Sequence, residues 1–119
     1  MQYMCLIYDD EQVWQGMSED ERNTVFGEYG AFTQSIQKSG NMVAGDALQP
    51  TSTATTVRIR NGETLLTDGP FAETKEQLGG YYLIEAKDAD EALKIAERIP
   101  SAKYGSIEVR PVMVFDEGQ

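Results

Sequence analysis

The chain has 119 residues, ten basic against twenty acidic, and a formal net charge of −10. That length suits one compact domain, and 40% hydrophobic with 25% charged residues is a globular composition that needs neither a disulfide nor a metal staple. So acidic a balance repels phosphate backbones and anionic lipid, which argues against nucleic acid and membrane surfaces as partners.

Histidine is absent, which removes the commonest metal ligand, the commonest general base and every Ser/His or Cys/His nucleophile pair. The single cysteine, Cys5, lies in an apolar run and cannot form an intramolecular disulfide, which fits a reducing compartment. The N-terminus carries no positive region, and Asp9-Asp10-Glu11 follows an apolar stretch too short to span a bilayer, so a cytoplasmic location is expected.

Residues 2–8, rich in Tyr, Ile and Leu and bounded by acids, read as a strand that is apolar on both faces. Such a strand belongs to a sheet covered on both sides. Ser18-Glu19-Asp20-Glu21 is a capping box, and Val25, Tyr29, Phe32 and Ile36 recur on one helical stripe until Gly40, which predicts a helix over 18–39. Glu28 sits at the edge of that stripe, and Glu28 and Tyr29 read either as a solvated acid and a core aromatic or as a pair lining a cleft.

Met42 to Ala47 reads as a short strand, followed by an aperiodic Ser/Thr-rich connection. Val57 and Ile59 alternate with Arg58 and Arg60, Asn61-Gly62 supplies type I′ turn chemistry, and residues 63–67 return as the second strand of a hairpin. Arg58 and Arg60 share a face, as a solvated or ion-paired edge or as an anion site. Residues 78–86 form another buried strand entered through Gly79-Gly80. Asp88-Ala89-Asp90-Glu91 opens a second helix with a stripe of Ala92, Leu93, Ala96 and Ile99, which Pro100 ends. The last strand covers 106–114, where Pro111 argues for an edge or a bulge.

This order contains a β-α-β-β-α-β frame with an inserted hairpin, a ferredoxin-like α+β domain spanning residues 1–119. Two helices cover one face of a four-stranded sheet, so the apolar second face predicts a homodimer joined face to face.

The densest polar constellation is Asp68-Gly69-Pro70-Phe71-Ala72-Glu73-Thr74-Lys75-Glu76-Gln77. Asp-Gly-Pro is turn chemistry, so one reading is a rigid loop anchored by Phe71. The other has the turn hold Asp68 at a cleft beside Glu73, Lys75 and Glu76, charges close enough to shift one another's pKa. No phosphate-binding glycine loop, nucleophile elbow or CxxC pair accompanies it, and neither metal nor cofactor is expected.

This stretch, continued through Leu78-Gly79-Gly80-Tyr81-Tyr82, resembles the signature of the DGPF-domain proteins within the YCII-related group. Tyr3-Met4, Leu6-Ile7-Tyr8, Ala44-Gly45, Leu48-Gln49-Pro50, Thr53 to Arg58 and Glu108 to Val112 extend the resemblance over nearly the whole chain. The resemblance implies a dimeric α+β barrel of two ferredoxin-like subunits. It also implies a cleft in which related proteins place a histidine of the first helix and a nearby aspartate, although Tyr29 stands at about the place of that histidine.

Two functions follow as expectations. One is a cofactor-free enzyme or small-molecule binder, with Asp68 and Glu73 as acid and base, Arg58 and Lys75 holding an anionic group, and Tyr29 and Phe71 contacting the ligand. The other, implied by the resemblance, is a regulatory module associated with a sigma factor of the extracytoplasmic-function type.

Overall fold

The computed structural model describes residues 1–115. Strand β1 (Gln2–Asp9) leads into a short helix α1 (Glu11–Gln15) and then the long helix α2 (Glu19–Lys38); strand β2 (Met42–Ala47) follows, then a hairpin of β3 (Thr55–Arg60) and β4 (Glu63–Asp68). Strand β5 (Gln77–Glu85), helix α3 (Ala89–Ala96) and strand β6 (Ser106–Pro111) complete the chain, with single 3-10 turns at Thr51–Thr53 and Pro100–Lys103. The main sheet has the order β2-β5-β1-β6, every adjacent pair antiparallel, and β3-β4 forms a separate two-stranded sheet. Among the described residues no helix is long and apolar enough to cross a membrane.

Local chemistry sets the boundaries. The Ser18 hydroxyl accepts from the Glu21 N–H while the Glu21 carboxylate accepts from the Ser18 N–H, a complete capping box that satisfies two orphan donors of α2. Asp88 caps α3 by accepting from the Glu91 N–H. The hairpin turn holds Asn61 at φ 52° and Gly62 at φ 77°, the paired positive values of a type I′ turn. Pro111 is the last residue of β6, an edge strand, where a missing N–H costs no ladder bond. The strand stops short of the expected residue 114, its last bond to β1 being from the Val112 N–H to the Gln2 carbonyl at 2.9 Å.

The core lies between one sheet face and the helices. Tyr3, Cys5 and Ile7 of β1 and Tyr82 and Ile84 of β5 pack against Phe32 and Ile36 of α2 and Ala92, Ile95, Ala96 and Ile99 of and beyond α3. Ile95 takes the buried place expected of Leu93, which is 54% exposed, because Ala92, Ile95, Ala96 and Ile99 stand at i, i+3, i+4 and i+7 on one helical face and Leu93 falls off it. Burial raises the Cys5 thiol pKa to about 11, so this cysteine behaves as a small hydrophobe rather than a nucleophile.

The opposite sheet face carries the directly paired Leu6 with Tyr81 and Met4 with Leu83, all half-buried, with no helix over them. The molecule is a slab, 53 × 48 × 18 Å, and its radius of gyration is 16.6 Å, against about 13–14 Å for a compact chain of this length. The β3-β4 arm accounts for much of the excess. It leaves Val57, Ile59, Leu65 and Leu66 exposed.

Candidate functional site

The β1 strand ends at Asp9, and β2 and β5 run out beside it: Ala47 pairs with Gly80, and the Leu48 N–H donates to the Gly79 carbonyl at 2.9 Å. Above this end of the sheet α2 lays Val25, Tyr29 and Thr33, α1 closes one side with Val13 and Trp14, and together they enclose a cavity of about 540 Å³. Two contacts fix α1 in place. The Glu11 carboxylate accepts from the N–H and hydroxyl of Thr51 at 2.8 and 2.7 Å, and the Arg22 guanidinium donates to the carbonyls of Trp14 and Gln15 at 3.2 and 2.9 Å. The Trp14 ring meets Phe26 edge-on at 5.3 Å, an arrangement aromatic pairs favour.

At the cavity's polar end three side chains from distant parts of the chain meet. Ser101, 5% exposed, donates to Asp9 Oδ2 at 3.4 Å and is hydrogen-bonded to the Tyr29 hydroxyl. A serine hydroxyl has one proton, so when Asp9 is ionised the chain runs in one direction: Tyr29 donates to Ser101 and Ser101 to Asp9. A second hydroxyl pair, Thr33 Oγ1 with the Tyr82 hydroxyl at 2.7 Å, stands on the neighbouring wall.

Burial raises the Asp9 pKa above the ordinary carboxyl value, Glu11, Glu76 and Asp10 raise it further by charge, and the bond from Ser101 opposes them. Burial likewise raises the Tyr29 phenol, partly offset by Ser101. A half-buried carboxyl with a raised pKa in a cavity is the state suited to giving and taking protons nearer neutrality.

Of the residues singled out from the sequence, Tyr29 lines this cavity. Asp68, Glu73 and Lys75 are exposed, Arg58 is half-exposed on the arm, and none of the four belongs to the lining. Glu28 also lies outside it, paired with the Lys103 ammonium at 2.8 Å. Phe71, expected to anchor its loop, is 79% exposed and does not do so within the protomer. The loop is braced instead by the Gln77 side-chain amide, which donates to the carbonyls of Ala72 and Thr74 at 3.2 and 3.0 Å, and by the Thr74 hydroxyl on the Glu76 carbonyl at 2.6 Å.

The motif still reaches the site, through Glu76, whose charge bears on Asp9, and through Gly79 and Gly80, which line the cavity. A Cβ at Gly80 would lie 2.9 Å from the Asp46 carbonyl oxygen. Asp9 and Ser101 were not singled out by sequence reasoning. For Asp9 the available signal was an acid at the end of a buried strand; Ser101 offers no local signal. Among the described residues no group of three or more His, Cys, Asp or Glu side chains is placed to hold a metal ion.

Comparison with known proteins places this geometry in context. The chain is 40% identical over 121 residues to an uncharacterised protein of Rhizobium meliloti (strain 1021), covering 100% of this chain and 98% of that protein. Its fold is similar to that of the 5-chloro-2-hydroxyhydroquinone dehydrochlorinase TftG of Burkholderia phenoliruptrix AC1100, solved in complex with 2,5-dihydroxybenzoquinone. The TM-score is 0.55 with 15% identity over 98% of each chain. Residues 1–116 match the YCII-related domain, and the chain belongs to the YCII-related family.

Proposed function

We propose that this protein binds a small organic molecule in the cavity at the end of β1 and handles its protons through Asp9. Tyr29 is held to Asp9 by the buried Ser101 hydroxyl. The observation that carries the reading is that linked trio: a carboxyl with a raised pKa, a buried serine and a half-buried phenol, facing a largely apolar space of ligand size. In the dissociated state Asp9 accepts a proton from the ligand, and Ser101 and Tyr29 stabilise the carboxylate between steps. In the protonated state Asp9 returns it. That a protein of similar fold is a dehydrochlorinase solved with a quinone supports reading this fold as one that accommodates a small ring.

The reading also takes the protomer as a ferredoxin-like frame, since β2-β5-β1-β6 is the order in which two βαβ units interleave, and pairs two copies through the open face of Met4, Leu6, Tyr81 and Leu83. An 18 Å slab with one apolar sheet face bare leaves that surface to a second copy. In such a pair, the exposed Phe71 and the apolar side chains of the arm have the partner subunit to pack against.

A thermal-shift screen of the native protein against a metabolite library tests the binding site, because a ligand of the folded state raises the melting temperature by mass action. Hits should be lost or weakened in Asp9→Asn and retained in Asp68→Asn. Hits that vanish with Asp68→Asn and survive Asp9→Asn would move the site to the exposed loop.

A further inference from the structure

The cavity walls carry two features that act in the same direction. The first is charge. Asp9, Asp10 and Glu11 contribute carboxylates to the lining, and no lysine or arginine lines it. Each carboxylate is met by an uncharged donor: Asp9 by the Ser101 hydroxyl, Asp10 by the Gln12 N–H and Glu11 by Thr51. The nearby cations are turned elsewhere, Arg22 onto the carbonyls of Trp14 and Gln15, and Lys103 onto Glu28. The negative charge of this site is therefore hydrogen-bonded but not neutralised.

The second feature is the rings. Trp14, Phe26, Tyr29, Tyr82 and Tyr104 all contribute to the walls, and the negative face of an aromatic ring attracts a cation, most strongly where water is excluded. An anionic ligand entering here would give up its hydration and find no positive partner. A cation on an apolar body meets both the rings and the carboxylates.

We infer that the cavity selects an organic cation, a protonated amine carried on a flat apolar body. This rests on the cavity being the ligand site proposed above, and it narrows the ligand to a class opposite in charge to the anionic group that Arg58 and Lys75 would have held.

Trp14 is the sole tryptophan and stands in the cavity wall, so its fluorescence reports occupancy. Three probes share one phenol ring and differ in charge: tyramine, a cation; tyrosol, neutral; and para-hydroxyphenylacetate, an anion. Each is titrated into the full-length protein at neutral pH and physiological salt, where attraction to the acidic outer surface is screened, with excitation at the red edge of indole absorption and calorimetry in parallel.

Tyramine should bind at least about tenfold more tightly than tyrosol, as ring and carboxylate attraction together predict, and para-hydroxyphenylacetate should bind weakest. Asp9→Asn should narrow the gap between tyramine and tyrosol. Equal binding of tyramine and tyrosol would overturn cation selection and leave the cavity as a ligand site. Tightest binding by para-hydroxyphenylacetate would overturn the charge argument outright. No Trp14 response and no heat with any of the three would overturn both this inference and the cavity reading beneath it.

Discussion

The bond between Ser101 and Tyr29 gives the sharpest test of the site, because its energy can be isolated from either end. Ser101→Ala removes an oxygen that is buried and has two partners. Its neutral bond to Tyr29 contributes about 1 kcal/mol net, and the contact with Asp9, at 3.4 Å near the limit of a hydrogen bond, adds about 0.5 kcal/mol. Ser101→Ala should therefore cost about 1–2 kcal/mol and lower the melting temperature by roughly 3–8 °C for a domain of this size.

Tyr29→Phe keeps the ring and deletes the same bond, at about 1 kcal/mol. Since both variants remove one interaction, the double variant should cost about 1 kcal/mol less than the sum of the singles. Urea unfolding at a fixed protomer concentration measures all three. Additivity within about 0.3 kcal/mol would show that the two hydroxyls are not coupled, and the trio would fail as a unit. A second readout is independent of stability. Ser101 is the influence that holds the Asp9 pKa down against burial and three acids, so in Ser101→Ala the carboxyl midpoint followed by NMR should rise; a fall or no change would refute the arrangement.

Three further outcomes are expected. Asp9 titrates higher in the folded state than its ordinary value of 3.8, so the native state binds extra protons over that window. The stability this gives is full at pH below about 4 and is lost as pH rises through the folded midpoint. Asp9→Asn should accordingly be more stable than the native protein at neutral pH, the difference shrinking on acidification in pH-dependent melting; a variant less stable at neutral pH would contradict the sign. Gly45→Ala would place a Cβ 2.8 Å from the Tyr82 ring and 3.1 Å from the Tyr81 carbonyl oxygen, pushing a ring held by Phe32 and Thr33. Overpacking of about 1–3 kcal/mol should appear in denaturant unfolding, and a cost below about 0.5 kcal/mol would mean that the ring has room to yield. In sedimentation velocity the native protein should run at twice its 13.2 kDa chain mass and Leu6→Glu as a folded monomer, since a charge buried at the centre of a pairing face is unpaired; a native monomer at micromolar concentration would refute pairing through this face.

The elements were legible because their signals are local. A capping box at Ser18, Asn61-Gly62 in the hairpin and a stripe at Val25, Phe32 and Ile36 each specify structure within a few residues, and all appear where expected. Helix α1 was not foreseen: five residues following an acidic run carry no periodicity to read, and it is fixed by Glu11 reaching Thr51 and Arg22 reaching back to Trp14. For Leu93 and Ile95 the expectation misapplied a readable signal: Ala92, Ile95, Ala96 and Ile99, all buried, stand at i, i+3, i+4 and i+7 on one face, and Leu93 falls off it.

The site was less legible because the densest polar motif and the partly buried carboxyl of the cavity fall in different places. In Asp68 to Gln77 the unusual residues answer backbone demands. Gly69 sits at φ 99°, with its N–H on the Ala54 carbonyl and its own carbonyl accepting from the Thr56 hydroxyl, and Gln77 ties the turn together. Asp68, Glu73 and Lys75 stand in water, where interactions between charges are screened. Asp9 lies where water is partly excluded, so the same kind of neighbours, Glu11, Glu76 and Asp10, move its proton affinity. Its partner Ser101 lies 92 residues away in the chain, and Ser101 in turn lies 72 residues from Tyr29. No window of sequence contains the trio. What a sequence can offer is one member of it, and Tyr29, on the apolar stripe of α2 but only half-buried, is the member that reads either as core or as cleft.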